Sequence, residues 1–116
     1  MSTPGYLRSC ATQWYRDGML QTQPSSDSER SRFAAVGRAL ADPKRLCVLE
    51  CLAGGELSVG ELSGQVGCQV PNMSQHLAVL RSAGLVSSRR EGSTVYYRLA
   101  DPRVLEAYRL IQTIAR

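Results

Sequence analysis

The 116-residue sequence is poorest in histidine, lysine and long apolar runs, and each shortage excludes something. His76 is the one histidine, so no thiol or hydroxyl has a base partner to choose from beyond it. There is no glycine loop of the phosphate-cradling pattern and no nucleophile elbow, so an enzyme is not expected. No stretch approaches the roughly 18 apolar residues of a membrane span. Residues Met1 to Leu20 carry Arg8, Arg16 and Asp17 without an apolar run, so a secretory signal is not expected either. The four cysteines are therefore expected as thiols in a reducing cytoplasm rather than as disulfides. Lys44 is the only lysine, so the net charge of +4 rests almost wholly on arginine. Arginine's planar fork suits phosphate contacts, but composition alone fits a codon bias equally well. Position has to decide.

The length suits one domain. Residues 1–28 read as an extension: Leu7, Cys10, Ala11 and Trp14 recur at helical spacing ahead of a polar linker over 21–28. Residues 29–116 carry the stronger signals. Phe33, Val36 and Leu40 stripe a first helix that must stop before Asp42-Pro43. Asp42 as N-cap with Pro43 behind it opens a second helix through Leu46, Leu49 and Leu52, closed at Gly54-Gly55. Ser58-Val59-Gly60-Glu61 is a capping box for a third helix that ends at Gly67. A fourth starts near Pro71, carries Met73, Leu77 and Leu80 on one face, and stops at Gly84.

The period then changes to two. Leu85–Arg90 and Thr94–Leu99, turning at Glu91-Gly92-Ser93, predict a β-hairpin. Asp101-Pro102 opens a last helix striped by Val104, Leu105, Tyr108 and Ile111. Mainly α with a two-stranded hairpin, in this order, is a winged helix-turn-helix with five core helices.

In such a fold the second helix of the pair lies in the major groove. The face of the fourth helix opposite Met73, Leu77 and Leu80 centres on Pro71, Gln75 and Ala78. Gln75 is the best-placed base reader, because a carboxamide can bond adenine twice. Asn72 and Ser74 flank it, and His76, nearer the core edge, suits a phosphate. Arg81, Arg89 and Arg90 concentrate positive charge on the helix end and hairpin that would straddle one groove. The expected partner is double-stranded DNA.

Several stretches also carry a resemblance. Ala39-Leu40-Ala41-Asp42-Pro43-Lys44-Arg45-Leu46, Glu56-Leu57-Ser58-Val59-Gly60-Glu61-Leu62, Ser74-Gln75-His76-Leu77 with Leu80-Arg81, and Arg90-Glu91-Gly92 before Val95-Tyr96-Tyr97 are one ordered set. It is similar to the ArsR/SmtB family of bacterial regulators, over about residues 30–112. The resemblance implies a homodimeric repressor on an imperfect palindrome, with the first and last helices building the dimer and a metal, metalloid or reactive sulfur species causing release. Val104, Leu105, Tyr108 and Ile111 are the expected interface residues, since the last helix is apolar over more than one narrow stripe.

The family's usual sensing sites are not matched. The third-helix Cys-Val-Cys of many arsenic sensors is Ser58, Val59 and Gly60 here, and the last helix has no histidine for a zinc site. Family reactive-sulfur sensors pair a second-helix cysteine with one on the last helix; the matching second-helix residue is Glu50, and the last helix has no cysteine. Cys47 and Cys51, one helical turn apart, are the remaining candidates, on a face expected to point away from the core. Arsenite or another soft metal ion is the expected inducer, with Cys10 as a third sulfur; no obligatory cofactor is expected. Against this stands ordinary packing of cysteine as a small hydrophobe, Cys68 most of all. A sulfur- or redox-responsive repressor, a constitutive DNA-binding regulator without ligand, and a protein-interaction module with solubilising arginines stay open.

Overall fold

The computed structural model describes residues 24–116; the helix expected around Leu7 to Gly18, with Cys10, lies outside them. Helix α1 (Asp27–Ala39) begins slightly earlier than its apolar stripe. Ser26 and Glu29 close a capping box, Glu29 N–H donating to Ser26 Oγ at 3.2 Å and Ser26 N–H to Glu29 Oε1 at 2.9 Å. Only the far end of α1 meets the body. Ala39 is buried and Val36 and Leu40 pack on the core, while Phe33 stays 56% exposed.

Helix α2 (Pro43–Leu52) is joined to α1 by one side chain. Arg45 donates from Nε to the Ala39 carbonyl at 2.8 Å and from Nη2 to the Arg38 carbonyl at 2.9 Å. Both carbonyls lie in the last turn of α1, where a helix runs short of its own donors; that of Arg38 also accepts from Ala41 N–H at 3.1 Å. Asp42 caps α2 as its Asp-Pro pair predicts, accepting from the Lys44 and Arg45 N–H groups at 2.8 and 3.2 Å.

A two-residue strand, β1 (Leu57–Ser58), precedes helix α3 (Val59–Val66). The Ser58 side chain accepts from Glu61 N–H at 3.1 Å, and Glu61 accepts from Ser58 N–H at 2.9 Å. Gly67, at φ +76°, takes the left-handed conformation that ends α3. Helix α4 (Val70–Ser82) starts one residue before Pro71. A proline at that point loses nothing, because the first N–H groups of a helix have no partner within it.

Strands β2 (Val86–Glu91) and β3 (Thr94–Leu99) pair from Val86↔Leu99 to Glu91↔Thr94. Glu91 therefore belongs to the ladder, and the turn is Gly92-Ser93, with Gly92 at φ +63°. The sheet has three strands, not two, in the order β1-β3-β2, with Leu57↔Tyr97 and Ser58↔Tyr96. The added strand has a local cause: the N-cap of α3 requires extended backbone at Ser58, and the open edge of β3 lies beside it. Helix α5 (Pro102–Ala115) follows, capped by Asp101.

Val48, Leu49 and Leu52 of α2, Leu62 and Val66 of α3, and Met73, Leu77 and Leu80 of α4 form the core with Leu85 and Val86. Burying each of the larger side chains stabilises the domain by about 1.5–3 kcal/mol. Helices α2 and α3 hold α4 with its opposite face outward. The architecture is the winged helix-turn-helix.

Candidate nucleic-acid interface

The core fixes the roll of α4 and so decides what it presents. With Met73, Leu77 and Leu80 inside, Asn72, Ser74 and Gln75 are exposed on its N-terminal half. Ala78 lines a shallow groove with Ala35 and Arg38 of α1. His76 is half-buried at the core edge, its Nδ1 3.4 Å from Arg45 Nη1. Lys44, to which sequence reasoning gave no role, lies over the turn between α3 and α4, with Nζ 3.4 and 3.5 Å from the carbonyl oxygens of Val66 and Gly67. With Gln69, Asn72, Gln75 and His76 it lines a hollow of about 540 Å³ at the start of α4. Its position one residue past Asp42-Pro43 did not reveal this, since its neighbours there are more than twenty residues on.

The wing closes the other side. Ser58, Val59 and Gly60 at the start of α3, Val70 and Ser74 of α4, and Ser93, Thr94 and Val95 at the hairpin tip line a cleft of about 340 Å³. Arg81 Nη1 donates to Ser88 Oγ at 3.2 Å and ties the end of α4 to β2.

The two adjacent wing arginines separate, because neighbours on a strand point to opposite faces. Val86, Ser88 and Arg90 share the helix-facing side with Val95, Tyr97 and Leu99; Ser87, Arg89 and Glu91 share the outer side with Thr94, Tyr96 and Arg98. Arg90 is exposed near the tip. Arg89, expected beside it on the DNA backbone, is already engaged. Its Nε lies 3.0 and 2.9 Å from the two Glu56 carboxylate oxygens, Nη2 2.7 Å from Glu56 Oε1, and Nη1 2.7 Å from Glu91 Oε2. The guanidinium stacks 4.6 Å above the Tyr96 ring centroid. Those hydrogen bonds push the Arg89 pKa up, Glu56 contributing most, and hold the Glu56 carboxyl below its usual range.

On α5 the expected interface residues part company. Tyr108 is 8% exposed and turned into its own protomer, its hydroxyl donating to the Glu50 carboxylate of α2. That bond, with burial, pushes the Tyr108 pKa up. Val104 packs on the core and Leu105 is half-buried. Ile111 is 40% exposed, and the outer stripe continues through Leu110 and Ile114, the latter 84% exposed.

The thiols differ from expectation too. Cys47 and Cys51 are half-buried and pack against the core rather than pointing away from it. Helix α2 touches α3, α4 and β3 and bonds to α5 through Glu50, so it has little free face. Burial pushes the Cys51 thiol pKa up, and the neighbouring Cys47 and Glu50 push it further. Among the described residues no group of three histidine, cysteine or carboxylate side chains is placed to hold a metal ion. Cys68 is half-buried against the core in the turn before α4.

The sequence model for the bacterial regulatory proteins of the arsR family matches residues 42–88, which hold α2, α3, α4 and the start of the wing. The chain is 48% identical over 81 residues to the HTH-type transcriptional regulator KmtR of Mycobacterium tuberculosis, covering 70% of this chain and 62% of that protein's length. It is 41% identical over 91 residues to the biofilm growth-associated repressor of Agrobacterium fabrum, covering 78% and 75%. A solution structure of a homodimeric winged helix-turn-helix DNA-binding domain from Mycobacterium bovis superposes with a TM-score of 0.70 at 37% identity, covering 81% and 90%. No helix among the described residues is long and apolar enough to cross a membrane. The chain belongs to the arsR family of bacterial regulatory proteins, a family of DNA-binding transcriptional regulators and not of enzymes.

Proposed function

We propose that the protein is a cytoplasmic transcriptional repressor that binds a palindromic operator as a homodimer. The observation that carries this reading is the exposed row Asn72, Ser74 and Gln75 on α4, set beside a wing cleft, with exposed Arg90 paired to Val95 of that cleft. Gln75 reads a base edge, Asn72 and Ser74 contact bases or phosphates, His76 meets a phosphate, and Arg81 and Arg90 neutralise the backbone. A second protomer covers Leu110, Ile111 and Ile114 of α5 and Phe33 of α1, the large apolar side chains left outside the core on the two terminal helices described. Two-fold symmetry then matches the two halves of a palindrome. The repressor name of the Agrobacterium relative and the homodimeric Mycobacterium bovis domain support the reading.

The inducer arm of the proposal rests on Cys47 and Cys51. Arsenite or another soft ion bound by both thiols, with Cys10 as a third ligand, displaces α2 from its core contacts and changes the spacing of the two reading helices. A coupling of about 1–3 kcal/mol suffices for release. The competing reading, a constitutive regulator without ligand, is favoured by one observation: both thiols pack on the core, where burial raises the Cys51 pKa.

The test is to select an operator from a random duplex pool and measure affinity and stoichiometry on it, with and without arsenite, cadmium and polysulfide. Two protomers on a palindrome, released by one of the three, is the expected result. A single protomer on an asymmetric site refutes the dimer, and unchanged affinity with all three probes favours the ligand-free regulator.

A further inference from the structure

Arg89 and Arg90 look equivalent as a pair of wing cations, yet their surroundings differ. Arg89 lies over Tyr96 on the outer face of the sheet and reaches across β3 to Glu56, in the loop ahead of β1. Glu56 bonds both Nε and Nη2, and Glu91 takes Nη1. One cation therefore sits between two carboxylates, and the group carries a net charge of −1. A DNA phosphate reaching Arg89 must compete with Glu56, held through a two-nitrogen fork, and with Glu91 at Nη1. That exchange neutralises no additional charge and leaves a free carboxylate facing the phosphate backbone.

Resting on the DNA-binding reading above, we infer that Glu56 holds Arg89 off the DNA backbone, so that of the two wing arginines only Arg90 neutralises phosphate. The consequence is selectivity. Affinity for random duplex is almost wholly electrostatic, whereas base readout by Gln75 is not. Masking one cation per protomer lowers binding to random DNA without touching the reading face. Glu56 thus acts as a specificity-determining residue that never touches DNA.

The experiment measures the salt dependence of affinity for a random-sequence duplex, using the full chain and its Glu56→Gln, Arg89→Ala and Glu56→Gln/Arg89→Ala variants. Glu56→Gln keeps the shape of the side chain and removes its charge, leaving Glu91 at Nη1 as the one charged partner of Arg89, a single-nitrogen contact that a phosphate can exchange. Its salt slope should steepen by about 0.9 per protomer, an extra loss of about 3.5-fold per protomer between about 50 and 200 mM salt. Arg89→Ala should leave the wild-type slope unchanged, and the double variant should return to it. That return separates release of Arg89 from the mere loss of a negative charge. The inference is overturned if Glu56→Gln leaves the slope unchanged, if Arg89→Ala flattens it, or if the double variant keeps the steeper slope. Wild-type protein with no salt-dependent affinity for duplex overturns the DNA-binding reading itself, and the inference with it.

Discussion

Replacing Gln75 by alanine tests the reading face at its centre. The side chain is exposed on α4 and supports no part of the core, so the fold should be unaffected: surface substitutions of this kind stay within about 0.5 kcal/mol. Alanine is also the strongest helix former, so α4 loses no propensity. What is lost is a carboxamide that can donate to and accept from one adenine edge, a contact worth about 1–3 kcal/mol of discrimination. A two-fold dimer presents Gln75 once to each half-site. Well-separated contacts add, so the dimer should lose about 2–6 kcal/mol on its operator. At about 1.4 kcal/mol per tenfold, even the lower figure is more than a tenfold loss of affinity. No charge is removed, so binding to shuffled duplex and its salt slope should not change. Competition between operator and shuffled duplex at one ionic strength reads the ratio directly. Equal loss on both duplexes, or an unchanged ratio, would refute the assignment of Gln75 to a base.

Arg90→Ala should weaken operator and shuffled duplex alike and flatten the salt slope by about 0.9 per protomer; titration over a range of salt checks it. Ile111→Asp with Ile114→Asp should give a folded monomer by sedimentation with its circular dichroism preserved, because both side chains lie outside the core. Tyr108→Phe should instead lower the melting temperature of the protomer, since its hydroxyl bonds Glu50 within one chain. Asp101, with Arg103 bonded to its carboxylate, has its pKa depressed from 3.8 to about 2. A depressed carboxyl contributes stability above its unfolded pKa and loses it as pH falls through the folded one. Asp101→Asn should therefore flatten the stability profile between those two values, measured by denaturant titration. Cys47→Ser with Cys51→Ser should keep operator binding and abolish release by arsenite; release at an unchanged arsenite concentration would make both thiols packing residues.

Much of the fold is legible in the sequence because its helix ends are chemically marked. Ser58 with Glu61, Asp42 before Pro43, and Gly67 each encode a boundary within a few residues, and all three act as read. The Ser26–Glu29 box carries the same signal and is hidden only by the polar run around it. Strand β1 is not legible, since two residues cannot display a period. At the site, the core stripe of α4 fixes Gln75 on the opposite face by geometry alone. The fates of Arg89 and Tyr108 depend on Glu56 and Glu50, 33 and 58 residues away, and helical or strand spacing cannot see that far. Strand alternation does place Arg89 and Arg90 on opposite faces, a signal present in the sequence but not drawn from it.

Several of the bonds between helices converge on α2. Arg45 of α2 holds the end of α1 and approaches His76 of α4, while Glu50 of α2 holds Tyr108 of α5. Helix α2 also packs directly against α3 and α4. The two helices with exposed apolar side chains for a second protomer are thus each bonded to the helix that supports the reading head. In the proposed dimer, a displacement of α2 by even a fraction of a turn would change the angle between the α1–α5 face that meets the partner and Gln75. Two half-sites one helical turn apart, about 34–36 Å, tolerate little such error. Cys47 lies between Arg45 and Glu50 on that helix and Cys51 just beyond, so a ligand on the two thiols would act where the helix is already coupled to both ends. A double-mutant cycle joining Tyr108→Phe with Arg45→Lys, read as operator affinity, measures that coupling: non-additive losses place α2 between dimer and DNA, and additive losses make each bond a local brace.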